Sequence, residues 1–170
     1  MAHGGAAEVS IGDVAAAANV SKALVHYHFH DKDSLLHALV EHVGLAVLER
    51  DRVALTRDEA AHALDAYWAW LEQELRAGDL RILLSLAEYD SARVRVASRR
   101  IADQRREVAT DHVAQIFSRL GLNPRVPAAI IAETVVAFID GLAASTALTA
   151  DRNPRPAFDV LWLALLTLAE

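Results

Sequence analysis

Three observations predict that this chain folds as an all-α protein. Alanine, leucine and charged residues dominate its 170 residues, whereas only seven are glycine and four are proline. Apolar residues recur at intervals of three and four, which places them on one side of a helix. No segment keeps the alternation of two that marks a β-strand. A chain of this length can bury a core and form one domain or two closely packed ones.

The first predicted helix follows residue 10. Its apolar residues have the spacing i, i+3, i+4 and i+7, and they are Ile11, Val14, Ala15 and Ala18. Ser10 and Asp13 are placed to form a capping box at its start. Asn19 ends this helix, because asparagine tolerates the left-handed conformation that closes such a turn.

A second short helix begins after the cap residue Ser21. Its buried side is predicted to carry Leu24, Val25, His28 and Phe29. Its opposite side then carries Lys22, Ala23, His26, Tyr27 and His30. Two short helices joined by a tight turn form a helix-turn-helix, and the second helix of this motif lies in the DNA major groove.

Residues 10–36 resemble the DNA-binding signature of TetR-family transcriptional regulators, roughly T-V-x-D-I-A-x-x-A-G-V-S-x-x-x-x-Y-x-H-F-x-x-K-x-x-L-L. The positions that match include Asp13, Ala15, Ala18, Val20, Ser21, His28, Phe29, Lys32, Leu35 and Leu36. Two features depart from the signature. His26 replaces the tyrosine of the recognition helix, and residues 1–9 are too few for the first helix and basic arm that precede the motif in the family.

The resemblance implies operator DNA as a partner. The residues expected at the DNA are Ser10, Ser21, Lys22, Ala23, His26, Tyr27, His28 and Lys32. Among them, the two lysines would contact phosphates. Residues 1–40 hold two lysines against four acidic side chains, a net charge of −2, and the whole chain has a net charge of −6. Because lysine and arginine supply most nonspecific DNA affinity, we expect weak binding.

Further helices are predicted at residues 31–52, 56–77, 79–89, 91–120, 127–149 and 155–169. The first of these would connect a DNA-binding head, residues 1–52, to a ligand-binding and dimerisation body, residues 53–170. Residues 92–106 carry six arginines and one acid. This run is either a solvated helix flank or a surface for an anion or a partner.

The last two predicted helices are apolar nearly all round. Between residues 128 and 148 only Glu133 and Asp140 are charged. Two carboxylates and the shortness of the final helix argue against a membrane span, so we expect these helices to pack on their own chain and on a second copy. In TetR-like proteins the last two helices form the dimer. The predicted interface is Ile131, Val135, Leu142, Phe158, Leu161, Trp162 and Leu165.

Aromatic residues concentrate in the central helices, together with a few polar groups, as in a ligand cavity. The family resemblance implies a small-molecule effector there, and this composition suggests a largely apolar one. Its predicted contacts are Trp68, Leu71, Tyr89, His112, Ile116, Phe117, Phe138 and Asp140. No cofactor is expected.

Two alternatives stay open. The chain could be a shortened TetR-like module that dimerises and binds a ligand without binding DNA. It could also be an all-α metal-dependent hydrolase with a His30-Asp31 doublet. His26, His28 and His30 do not form a metal site in a helix, because positions i and i+2 point in nearly opposite directions. The sequence contains no nucleophile motif or phosphate loop, so we predict that it is not an enzyme.

The chain contains no cysteine, which excludes disulfides and thiolate metal sites. Residues 1–9 lack the positive start and apolar run of a signal peptide. Both observations are compatible with a reducing compartment. We therefore expect a cytoplasmic protein that does not insert into a membrane.

Overall fold

A computed structural model describes residues 9–55, 62–145 and 153–170, and these ranges contain helices throughout. The helices are α1 Ile11–Ala17, α2 Lys22–His28, α3 Lys32–Val53, α4 Ala63–Ala77, α5 Asp79–Ala87, α6 Ala92–Arg119, α7 Ala128–Ser145 and α8 Arg155–Leu166. The all-α prediction is confirmed. The predicted helix start at residue 56 and the predicted end at residue 149 lie outside the described residues.

Helix α6 lies at the centre of the body and packs chiefly against α3 and α7, with α5 on a further side. An aromatic cluster fills the core beside it. The Tyr67 ring stacks on Trp70 at 5.2 Å between centroids and meets Trp162 edge-on at 6.2 Å. Phe158 packs against both Trp68 and Trp162. The core therefore ties α4 to α8, and α3 extends from it to the two short N-terminal helices.

Gly44 allows α3 and α6 to approach closely. A Cβ at Gly44 would lie 2.7–2.9 Å from three side-chain atoms of Ile101. We expect Gly44→Ala to lower the free energy of unfolding by about 1–2 kcal/mol, because overpacking costs more than the better helix propensity of alanine returns. Urea unfolding at a fixed protein concentration measures this. Ile101→Val in the same background should recover part of the loss, and an unchanged or raised stability would contradict the close approach.

The predicted dimer-interface residues are mostly inside the chain, which corrects the sequence interpretation. Five of them are buried in the core: Ile131, Val135, Phe158, Trp162 and Leu165. Leu142 and Leu161 are half-buried. The apolar side that α7 and α8 leave exposed carries Ile130, Val160 and Leu163 instead. Both sides of these helices are apolar, so composition alone could not show which side faces the chain's own core.

By length and composition, α7 could cross a membrane, although core helices of soluble proteins meet the same criterion. One side of it packs on α6. Its carboxylate Asp140 accepts a hydrogen bond from Nη2 of Arg105 at 2.7 Å. One of the two carboxylates of this apolar helix thus has a partner inside the protein.

Candidate DNA-binding site

Local hydrogen bonds fix both short helices as the sequence predicts. The backbone N–H of Asp13 donates to Ser10 Oγ at 3.2 Å, and the Ser10 N–H donates to Asp13 Oδ2 at 2.9 Å. The side-chain and backbone bonds from Ser10 lower the pKa of Asp13. Asn19 adopts a φ of 55°, which turns the chain. Ser21 Oγ then accepts from the Leu24 N–H at 3.1 Å and starts α2.

Helix α2 presents a polar strip to solvent. Lys22, Ala23, His26 and Tyr27 are all exposed, and the Tyr27 side chain is the most accessible of the large hydrophobic residues described, at 78 %. Val25 lies on the other side and is buried. The predicted orientation of the outward strip agrees with the structure, and this is the geometry that a recognition helix requires.

The buried side of α2 is narrower than predicted. Leu24 is 44 % exposed and His28 is also exposed, so the prediction that both are buried is wrong. The His28 ring meets the Tyr27 ring edge-on at 5.4 Å. The physical reason is the small size of the helix pair, since α1 is the element that packs most closely on α2 and has only seven residues. His28 is therefore accessible to a ligand such as DNA.

An open concavity of about 540 Å³ joins the start of α1 to α2. It is lined by Val9, Ser10, Ile11, Gly12, Lys22, His26 and Lys32. A Cβ at Gly12 would lie 2.7 Å from Lys22 Cε and 2.8 Å from its Nζ, so glycine leaves room for the ammonium group. Two lysines and a histidine around an open depression suit the phosphates of a nucleic-acid backbone.

The first turn of α3 contacts the body through a small set of polar residues, which we call the head–body seam: Lys32, Asp33 and Ser34 of α3, with Tyr89 and Arg93 opposite them. Tyr89 Oη donates a long hydrogen bond of 3.3 Å to Asp33 Oδ1. Arg93 Nη1 donates to Ser34 Oγ at 2.9 Å. The Lys32 Nζ lies 5.5 Å from the centre of the Tyr89 ring. Burial and the nearby Asp33 carboxylate raise the pKa of Tyr89.

Comparison with known proteins supports the same interpretation of this site. Residues 1–39 match the family model described as bacterial regulatory proteins, tetR family. The HTH-type transcriptional regulator BetI of Brucella suis biovar 1 (strain 1330) is 31 % identical over 157 residues, which cover 86 % of this chain and 74 % of BetI.

The chain belongs to the TetR family. It is thus a DNA-binding transcriptional regulator, and members of this family are not enzymes. The crystal structure of NalD, the secondary repressor of the MexAB-OprM multidrug efflux pump in Pseudomonas aeruginosa, has the same fold. The two structures superpose with a TM-score of 0.58 at 20 % identity, over 98 % of this chain and 88 % of NalD.

In this TetR-family regulator the eight predicted effector contacts have different surroundings. Trp68, Leu71, His112, Ile116 and Phe117 are buried in the core. Phe138 is half-buried. Tyr89 instead belongs to the head–body seam, and Asp140 is bonded to Arg105. A concavity of about 140 Å³ between the end of α4, the start of α5 and Ala143 of α7 is lined by none of the eight.

The core of the regulator also holds buried polar groups beside the predicted His112. Asp51 of α3 faces His112 of α6, with 3.2 Å between Oδ1 and Nδ1, and both side chains are buried. Among the described residues neither atom has a well-aligned hydrogen bond, and the same is true of the indole N–H groups of Trp70 and Trp162. Burial, followed by the charge of Asp51, raises the pKa of Tyr67 well above its usual value. The sequence did not indicate a buried Asp51, because this residue lies within the charged run of residues 49–52, which is typical of a solvent-exposed helix side.

Proposed function

We propose that the protein is a homodimeric repressor that binds operator DNA through α2 and responds to a small, largely apolar effector. The observation that carries the proposal is the exposed strip of α2 beside the concavity that Lys22 and Lys32 share. DNA binding itself follows from membership of the TetR family. NalD, which has the same fold, is a repressor.

The proposed role of each residue at the DNA is inferred from its position in the helix pair. Ser10 and Ser21 cap α1 and α2 and so hold both helices in place. Lys22 and Lys32 contact phosphates, which fix register but carry no sequence information. Sequence is read by side chains of α2 at the base edges, for which Ala23, His26, Tyr27 and the exposed His28 are placed.

A second copy of the chain is proposed to cover the exposed apolar side of α7 and α8. Ile130, Val160 and Leu163 are each more than half exposed. A Cβ at Gly141 would meet no other heavy atom within 4 Å, so α7 offers a smooth surface to a partner helix. The two-fold dimer then sets two α2 helices about 34 Å apart, one helical turn of DNA.

The effector is proposed to bind in the core of the body, between α3, α4, α6 and α8. Support comes from the buried polar atoms of Asp51, His112, Trp70 and Trp162, because buried polar groups normally have hydrogen-bond partners and a ligand could supply them. Binding there would act on α3, which lies in the head of residues 1–52 except for its last residue and packs on α5 and α6 of the body. The effector must favour one position of α3 by its own binding free energy.

We expect Lys22→Ala to weaken binding to the DNA upstream of the protein's own coding sequence by about tenfold at low salt, and to lower the salt slope by about one per subunit, or about two per bound dimer. The reason is the loss of one phosphate contact in each subunit. Fluorescence anisotropy of labelled DNA over a salt series measures both quantities. Arg76→Ala, an exposed arginine of the body, is the matched control and should bind as the wild type does. Equal affinity and slope for Lys22→Ala would remove α2 from the proposed role.

A further inference from the structure

The lysine that begins α3 has a carboxylate on each side of it. Asp31 is the N-cap of α3 and accepts a hydrogen bond from the Ser34 N–H at 2.7 Å. Asp33 is in the first turn of the helix. If Lys32 meets a phosphate, these carboxylates are brought towards the same polyanion. Charges this close act on the phosphate together with the lysine and reduce its attraction.

The body places two side chains against these carboxylates. Tyr89 Oη donates to Asp33, and the ring of Tyr89 lies beneath the Lys32 ammonium. Arg93 bonds Ser34, the residue that also bonds Asp31. The pKa of Asp31 is lowered by the backbone and side-chain bonds of Ser34 and, to a smaller extent, by the charge of Arg93. Arg93 and Tyr89 thus act on the acidic groups at the start of α3 from another part of the fold.

We propose that Arg93 and Tyr89 are positioning residues for DNA binding that do not touch the DNA: they offset the charges of Asp31 and Asp33 and orient Lys32 towards a phosphate. The inference rests on the proposed docking of α2 and Lys32 on DNA. It accounts for one part of the arginine-rich run at residues 92–106, because the first arginine of that run lies at the head–body seam. Opening the seam would then lower DNA affinity without altering any group at the DNA surface.

Arg93→Ala and Tyr89→Phe test the proposal with a short, labelled DNA duplex of mixed sequence as the probe. We expect Arg93→Ala to weaken binding about fivefold at low salt, with a salt slope within about half a unit of that of the wild type, because no phosphate contact is lost. Tyr89→Phe should weaken it about twofold, because the ring under Lys32 remains while the bond to Asp33 is lost. Arg99→Ala removes an exposed arginine from the same helix and is the charge-matched control, expected to bind within about twofold of wild type.

Asp31→Asn provides the decisive rescue. Asparagine is as good an N-cap as aspartate, so α3 keeps its start while the charge is removed. In the Arg93→Ala background this change should restore affinity close to that of the wild type. If the double variant binds as weakly as Arg93→Ala, or if Arg93→Ala lowers the salt slope by about one per subunit as a direct phosphate contact would, the proposal is overturned.

Lys22→Ala, measured on the same duplex, separates this inference from the proposed function. A loss of affinity in Lys22→Ala but not in Arg93→Ala would contradict the seam proposal alone. No loss in Lys22→Ala would contradict the docking of α2 on which both depend. Thermal unfolding of each variant identifies any loss of affinity that comes from a general loss of structure, and Tyr89→Phe, the smaller change, then decides the outcome.

Discussion

Leu163→Glu is expected to convert the proposed dimer into monomers and to weaken binding to a two-fold symmetric operator by about a hundredfold or more. The Leu163 side chain is 66 % exposed in the single chain and Val160 is 65 % exposed. In the proposed dimer both are covered, so a carboxylate at residue 163 would be buried without a partner. The operator then loses the gain in affinity that two linked recognition helices provide, typically a factor of 10² or more.

Analytical ultracentrifugation and DNA anisotropy on the same samples measure this prediction. Val96→Glu is the matched control, because Val96 is equally exposed but lies on α6. That variant should stay dimeric and keep its affinity. A Leu163→Glu protein that sediments as a dimer would show that another surface makes the interface.

Asp140→Ala is expected to lower the free energy of unfolding by about 3 kcal/mol, the lower end of the range for breaking a buried ion pair. Arg105 is only 6 % exposed, and Asp140 is its partner at 2.7 Å. Removing the carboxylate leaves a guanidinium buried without its counter-charge. The lower end applies because the Asp140 side chain is 28 % exposed and water can replace part of the lost interaction.

Urea unfolding at one protein concentration tests this loss, since the stability of a dimer depends on concentration. Adding Arg105→Met to Asp140→Ala should recover part of the stability, because an unpaired charge costs more than an apolar side chain of similar length. If the free energy of unfolding of the single variant fell by less than about 1 kcal/mol, the ion pair would not contribute much to holding α6 and α7 together.

The features that the sequence predicted well depend on neighbouring residues. The capping box of Ser10 and Asp13, the cap at Ser21 and the turn at Asn19 are all local, and all are present in the structure. The end of α4 is local in the same sense, because Gly78 adopts the left-handed conformation without the strain of a side chain. An N-cap needs only a hydroxyl or carboxylate within three residues of the free N–H groups. The local sequence is therefore sufficient to locate it.

The features that the sequence did not predict depend on contacts between residues that are far apart along the chain. Helices α7 and α8 are apolar on two sides, so nothing in their spacing shows that Ile131 and Val135 face the chain's own core while Ile130 faces outward. Tyr89 looked like an effector contact because it is an aromatic residue in a helical region. Its bond to Asp33 joins residues 56 positions apart, a pairing that only the packing of α3 on α5 and α6 creates.

Two α2 helices that face one side of a DNA duplex are the central feature of the proposed regulator, and hydroxyl-radical footprinting measures their placement. The wild-type protein should be bound to a duplex selected from a random pool. We expect two protected tracts of equal strength, related by two-fold symmetry, with centres about 34 Å apart along one face. A single protected tract, or two tracts on opposite faces of the duplex, would contradict the proposed arrangement.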